Sequence, residues 1–102
     1  MASEQAEPYH RTFPRDLIGF EVRGDSMDPV LRHGQIALAH RRVWPEDGDL
    51  AVVQLKGGEH MVKRVYLQRE EVLLVSLNTA TRPKRVRRAD ILFAHKLWGA
   101  IY

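Results

Sequence analysis

Residues 50–67 read LAVVQLKGGEHMVKRVYL. Leu50 to Leu55 form a near-continuous apolar run, HMVKRVYL is rich in apolar and β-branched side chains, and Lys56-Gly57-Gly58-Glu59 supplies a turn between them. Two short strand-like runs on either side of a Gly-Gly pair are the mark of a β-hairpin. A period of two is plain elsewhere in the chain. Ile18, Phe20 and Val22 alternate with Gly19, Glu21 and Arg23, Ile36 and Leu38 alternate with alanines, and further strands are expected at 72–77 and 91–101. Gly24-Asp25, His33-Gly34 and Pro45-Glu46-Asp47-Gly48 are turn signals. The one helix signal is a short turn at 28–32, where Asp28 can cap and Pro29 suits the first helical position. The expectation is an all-β domain of six or seven short strands with one short helical turn.

The chain has 102 residues, 44% of them apolar, which suits one compact domain with a single core. Residues 1–16 read as a polar, proline-containing N-terminal arm and residues 17–102 as the patterned domain. The absence of cysteine excludes a disulfide framework, a thiolate zinc site and thiol catalysis. Residues 1–16 lack the apolar centre of a signal peptide and no apolar run is long enough to span a bilayer, so a cytoplasmic protein without a membrane partner is expected. Sixteen Lys and Arg against thirteen Asp and Glu give a net charge of only +3. The excess is concentrated at Lys84, Arg85, Arg87 and Arg88, which read as a solvated basic rim; nucleic-acid binding through 82–88 is the alternative.

Two positions break the β pattern in ways that suggest chemistry. Strict alternation puts Lys63 on the same strand face as Met61, Val65 and Leu67. A lysine among apolar side chains loses hydration of its charged form, which makes a neutral, proton-accepting amine available near neutral pH. The competing reading is a lysine that snorkels to the strand edge. Ser26 follows Gly24-Asp25 at the end of a strand and precedes Asp28-Pro29, so it lies on a tight turn with backbone N–H groups converging nearby. An exposed hydroxyl there can attack a carbonyl and an adjacent amide can donate to the oxyanion, although an ordinary turn serine has the same signature.

Taken together, FEVRGDSMDPVLRHGQIALA (20–39), the Pro-x-x-Gly-Asp turn at 45–49, LAVVQL, Val62-Lys63-Arg64 and LLVSLN (73–78) resemble the peptidase domain of LexA, UmuD and the lambda-type phage repressors, relatives of the signal peptidases. The resemblance covers about residues 18 to 102, and both motifs occur in the expected order, Lys63 lying 37 residues after Ser26. It implies a strand-rich fold, Ser26 as nucleophile and Lys63 as general base of a Ser-Lys endopeptidase. Met27 would then pack beside the site with its backbone near the oxyanion, and Ser76 would hydrogen-bond the lysine amine. The resemblance further implies self-cleavage in an SOS-type repressor that answers DNA damage, a homodimer, and a RecA-type activator. A catalytically idle dimerisation module, or a UmuD-like cleaved fragment acting with a DNA-repair partner, is the alternative.

Family members usually cut themselves at an Ala-Gly or Cys-Gly bond upstream of the serine, and neither dipeptide occurs here. The peptide substrate is therefore expected to be an upstream loop of a longer chain or a segment supplied in trans. Nothing in the chain resembles a helix-turn-helix, so specific DNA binding is not expected of it. The immediate Asn-Pro of many members is missing after Asn78, with Pro83 the nearest substitute. No cofactor or metal is expected: His10, His33, His40, His60 and His95 lack metal-ligand spacing, and Asp47-Gly48-Asp49 lacks the later ligands of a calcium loop. Trp44 and Trp98 are expected to cover the core or a subunit contact. Ile91 to Ile101 carry large apolar groups on both faces, which is the basis for expecting a twofold contact through this strand.

Overall fold

The order of pairing between strands, more than their number, gives this chain its shape. The computed structural model describes residues 6–9, 11–58, 60–78 and 82–101; His10, Glu59 of the hairpin turn and residues 1–5 of the arm lie outside them. The strands are β1 (Ala6–Tyr9), β2 (Leu17–Val22), β3 (Ile36–His40), β4 (Leu50–Leu55), β5 (His60–Leu67), β6 (Glu71–Val75), β7 (Lys84–Arg87) and β8 (Ile91–Ile101). They follow the order β1-β2-β3-β8-β4-β5-β6-β7, and β1 also pairs with β5. That extra pairing closes six strands into a small barrel, leaving β6 and β7 as an extension beyond β5. All of the pairings are antiparallel. The all-β expectation holds.

Antiparallel partners share a face, so the register separates inside from outside. Ala6 lies opposite Val22, Phe20 opposite Ala37, and Val52 opposite Val62. These residues, with Ala39, Met27 and Leu31, form one buried cluster, against which Ile18, Leu50, Phe93 and Leu97 pack. Because all six barrel strands contribute to it, this cluster is the barrel interior, and alanines at 6, 37 and 39 suit its narrow bore. A second cluster contains Ala51, Val53, Met61, Val65, Val72, Leu74, Val86 and Ala94. It lies on the outer face of β4, β5 and β8, beneath β6 and β7. A third, with Leu17, Ile36 and Leu38, is covered by Tyr9, Phe13 and Ile101.

The hairpin at 50–67 forms as its pattern predicts. Gly57 and Gly58 both take φ of 104°, a region where a Cβ is unfavourable. The turn at 45–49 anchors the far end of the same hairpin: Asp47 Oδ1 accepts from Leu67 N at 2.6 Å, and Gly48 N donates to Val65 O at 2.8 Å. Asp49 Oδ2 accepts from Glu46 N at 2.8 Å. Two strands lie where the pattern gives no period. AEPY becomes β1 through pairing with β2 and β5, and KRVR becomes β7 with Val86 alone buried. The helical turn expected at 28–32 is a single hydrogen-bonded turn that begins one residue earlier, Leu31 N donating to Met27 O at 3.0 Å. One bond is little return for fixing a turn of backbone, and the segment does not extend into a helix. The 3-10 turn is at Arg88–Asp90.

β7 also settles part of the reading of the last strand. Val86 packs in the same cluster as Ala94, so the basic segment covers the middle of the outer face of β8. Leu92 and Trp98, each skipped at a register shift of β8, remain 57% and 48% exposed, and Trp44 is 43% exposed, so neither tryptophan is a core residue. No helix of the described residues is long and apolar enough to cross a membrane.

His60 and His95 face the barrel mouth. Burial pushes the His60 imidazole below its ordinary value of 6.5. Burial does the same to His95, with the Arg41 charge adding to it. Both are therefore neutral in the folded state at pH values where the unfolded chain already takes up protons. Stability present above the unfolded value is lost as pH falls through the folded values. Melting temperature is expected to decline on acidification from about pH 7.5 to about pH 5, with a shallower decline in His95→Phe. An identical slope in that variant would remove His95 as a cause.

Candidate active site

The loop that carries Ser26 is closed at its base and pinned from inside. Val22 N donates to Gln35 O, and Gly34 N donates to Val22 O, both at 2.8 Å. Gly24, at φ 88°, turns the chain out of β2, and its N–H donates to His33 Nδ1 at 3.0 Å. Met27 and Leu31 then point back into the barrel cluster, both fully buried. Two apolar anchors four residues apart pin the short loop to the core.

Ser26 is 4% exposed, in contrast to the exposed hydroxyl expected from its place on a turn. The segment after β6 explains the difference. Asn78 N donates to Ser26 O at 2.7 Å, and Asn78 Nδ2 donates to Asp25 O at 3.3 Å. The serine turn is thus clamped to the continuation of β6, and Leu77 packs against the same cluster as Met27. The clamp was not apparent from the sequence, where the Ser-x-Asn ending of LLVSLN is the signal for it.

Lys63 sits in the middle of β5, opposite Ala51 of β4 and on the face of Met61 and Val65. It is 5% exposed, so the snorkelling alternative does not hold. Its Nζ donates to Ser76 Oγ at 2.6 Å, and Ser76 is itself buried. Among the described residues, Ser26, Lys63 and Ser76 are the polar or charged ones buried with the core. Lys63 is thus enclosed beside Ala51, Met61 and Val65, with little water about it.

The connections converge. Lys63 is bonded to Ser76, and two residues later Asn78 is bonded to the backbone of Ser26. The serine loop and the Lys63–Ser76 pair are thereby both tied to the end of β6 and the segment that follows it. Ser26 and Lys63 are each shielded from water there.

The remaining residues singled out in the sequence find structural uses. Asp47 and Asp49 serve the turn, and no group of three or more metal-binding side chains occurs among the described residues. Arg85 pairs with Glu71 at 3.6 Å and Arg87 with Asp90 at 3.1 Å, so part of the basic run is engaged within the chain.

A search among curated proteins finds no match. A family model described as Peptidase S24-like matches residues 2–96, nearly the whole chain. With a strand-rich fold of the expected kind beneath that match, the chain belongs to the Peptidase S24-like family, the serine peptidases of self-cleaving regulators such as LexA, UmuD and the phage repressors.

Proposed function

We propose that this chain is the Ser-Lys peptidase domain of a cytoplasmic LexA-like transcriptional regulator, residues 17–102 with β1 of the arm closing its barrel, with Ser26 as nucleophile and Lys63 as general base. The observation that carries this reading is the burial of Lys63 with its amine directed to Ser76 Oγ at 2.6 Å. A neutral amine hydrogen-bonded to Ser76 is held in orientation to accept a proton. Ser26 Oγ–H gives that proton to Lys63 Nζ as Oγ bonds to the scissile carbonyl carbon. The Met27 backbone N–H lies near the oxyanion. Collapse of the tetrahedral species breaks the C–N bond, and Lys63 returns the proton to the leaving amine. Water then gives a proton to Lys63 and attacks the ester carbon, and the C–O bond to Ser26 breaks with return of that proton to Oγ. Ser76 is a positioning residue in this scheme.

The substrate is a peptide segment, from an upstream loop of the regulator or in trans. The test is a chain extended at its N-terminus by a peptide containing an Ala-Gly bond, followed by mass spectrometry across a pH range. Cleavage is expected, with a rate that rises with pH as the Lys63 ammonium is lost. An intact chain at every pH would overturn the proposal.

A homodimer accompanies this reading. Leu92 and Trp98 on β8 are exposed, and Lys96 N donates to Val43 O at 2.9 Å, which brings the exposed Val43-Trp44 pair beside the same strand. An apolar patch of this kind suits a twofold contact. Sedimentation equilibrium at micromolar concentration is expected to give a dimer mass, and Trp98→Asp a monomer. A monomer mass for the unaltered chain contradicts it. Sequence-specific DNA binding is not expected of these residues, and retention through 82–88 fades by physiological salt.

A further inference from the structure

The barrel mouth opens into a cavity of about 620 Å³ that shares no lining residue with Ser26, Met27, Lys63 or Ser76. Its size falls within the range of small-molecule sites. The wall is made of rings: Phe20 and His60 have centroids 5.3 Å apart, and His60 and Phe93 5.8 Å. His95 stacks on Phe93 at 4.2 Å with the planes 17° apart. Arg11 and Arg41 stand at the rim, and among the described residues no carboxylate lines the cavity.

Two features of this wall do not follow from the needs of a barrel core. The first is the histidine pair. His60 lies opposite Gln54, and His95 lies opposite Val52, on the face that elsewhere carries valine, alanine and phenylalanine. Partly burying an imidazole there costs more than burying an apolar group of the same shape. Both imidazoles are pushed below their ordinary value by burial, so near neutrality each offers one N–H donor and one acceptor. The second is the charge at the rim. Asp16 takes Arg41 Nε at 3.2 Å and Arg42 Nη1 at 3.1 Å, one carboxylate shared between two guanidinium groups. A net positive charge therefore remains on the side of the cavity that holds Arg41 and His95.

We propose that this cavity binds a small anion built on a flat aromatic ring, with the ring against Phe93 and His60 and a carboxylate or phosphate directed to Arg41 and Arg11. The ring-lined wall selects a planar apolar body, and guanidinium groups select an oxyanion through charge-assisted hydrogen bonds. The neutral imidazoles complete the site as hydrogen-bonding edges. Neither half of the ligand is sufficient alone.

Titration calorimetry of the full chain at low ionic strength tests this with four probes: adenosine 5′-monophosphate, indole-3-acetate, adenosine and inorganic phosphate. The site is expected to bind at least one of the two ring-bearing anions, and the tighter of them identifies a nucleotide or an aromatic carboxylate as the source. Adenosine and phosphate are each expected to bind at least about tenfold more weakly than the tighter anion. Arg41→Gln, at an exposed position, is expected to weaken that anion about tenfold, and Phe93→Leu to weaken it while preserving the apolar packing. Ser26→Ala leaves the affinity unchanged, which separates this site from the peptidase reading. No binding by either ring-bearing anion overturns the proposal. So does adenosine or phosphate binding as tightly as the anion, or an affinity that neither Arg41→Gln nor Phe93→Leu alters.

Discussion

Ser26→Ala and Lys63→Ala are each expected to slow cleavage of an attached upstream peptide by about a thousandfold or more, while Ser76→Ala slows it by about tenfold. The ranking follows from the roles. Without Ser26 there is no atom to accept the acyl group, and without Lys63 nothing nearby accepts the hydroxyl proton at neutral pH. Loss of Ser76 leaves both groups present but frees the lysine amine from the 2.6 Å bond that orients it. Replacing Lys63 by Met separates chemistry from packing. Lys63→Met removes the amine but keeps the side-chain volume on an apolar face, so its melting temperature is expected to stay close to that of the unaltered chain. A rate loss without a stability loss therefore identifies a chemical role for the lysine. Equal cleavage rates in the unaltered chain and both variants would contradict the assignment, and a lysine variant that fails to fold would make Lys63 structural.

Leu31→Ala is expected to act on stability as strongly as those variants act on rate. Leu31 is 2% exposed, packs in the barrel interior with Met27, Val52 and Val62, and closes the serine loop through its N–H to Met27 O. Truncating such a leucine costs about 2–5 kcal/mol from lost transfer energy and the cavity left behind. That is a large share of the roughly 5–15 kcal/mol stability of a small domain, and it corresponds to a fall in melting temperature of more than about 10 °C. The neighbouring Val30, 55% exposed, is the control: Val30→Ala is expected to change stability by less than about 0.5 kcal/mol. Because Leu31 also anchors the Ser26 loop, the surviving folded fraction is expected to cleave more slowly than the unaltered chain. Thermal denaturation of both variants, with cleavage measured well below each midpoint, separates the two effects. Similar melting temperatures for Leu31→Ala and Val30→Ala would contradict this packing role.

What the sequence made legible was the local part of this architecture. The hairpin at 50–67 shows because two strand-like runs and a Gly-Gly turn are all encoded within a short stretch, and Lys63 stands out because it interrupts an apolar face. β1 and β7 did not show. AEPY and KRVR have no apolar period, and each becomes a strand only through hydrogen bonds to partners outside its own segment. Barrel closure has the same origin, since the β1 to β5 pairing joins residues 6 and 60. The burial of Ser26 was also not local. It depends on Asn78, which lies 53 residues away from Asp25, whose carbonyl its side chain reaches. The family resemblance supplied the association of Ser26, Lys63 and Ser76, whereas alternation alone supplied only the lysine's face.

Activation of Ser26 by Lys63 can be read out with a serine-directed fluorophosphonate, because the trap needs no knowledge of the natural cleavage site. With the intact chain, mass spectrometry and peptide mapping are expected to place one phosphonyl adduct on Ser26, formed faster as pH rises, and formed far more slowly in Lys63→Ala. An adduct on another serine, or labelling of Ser26 at the same rate with and without Lys63, would refute the dyad.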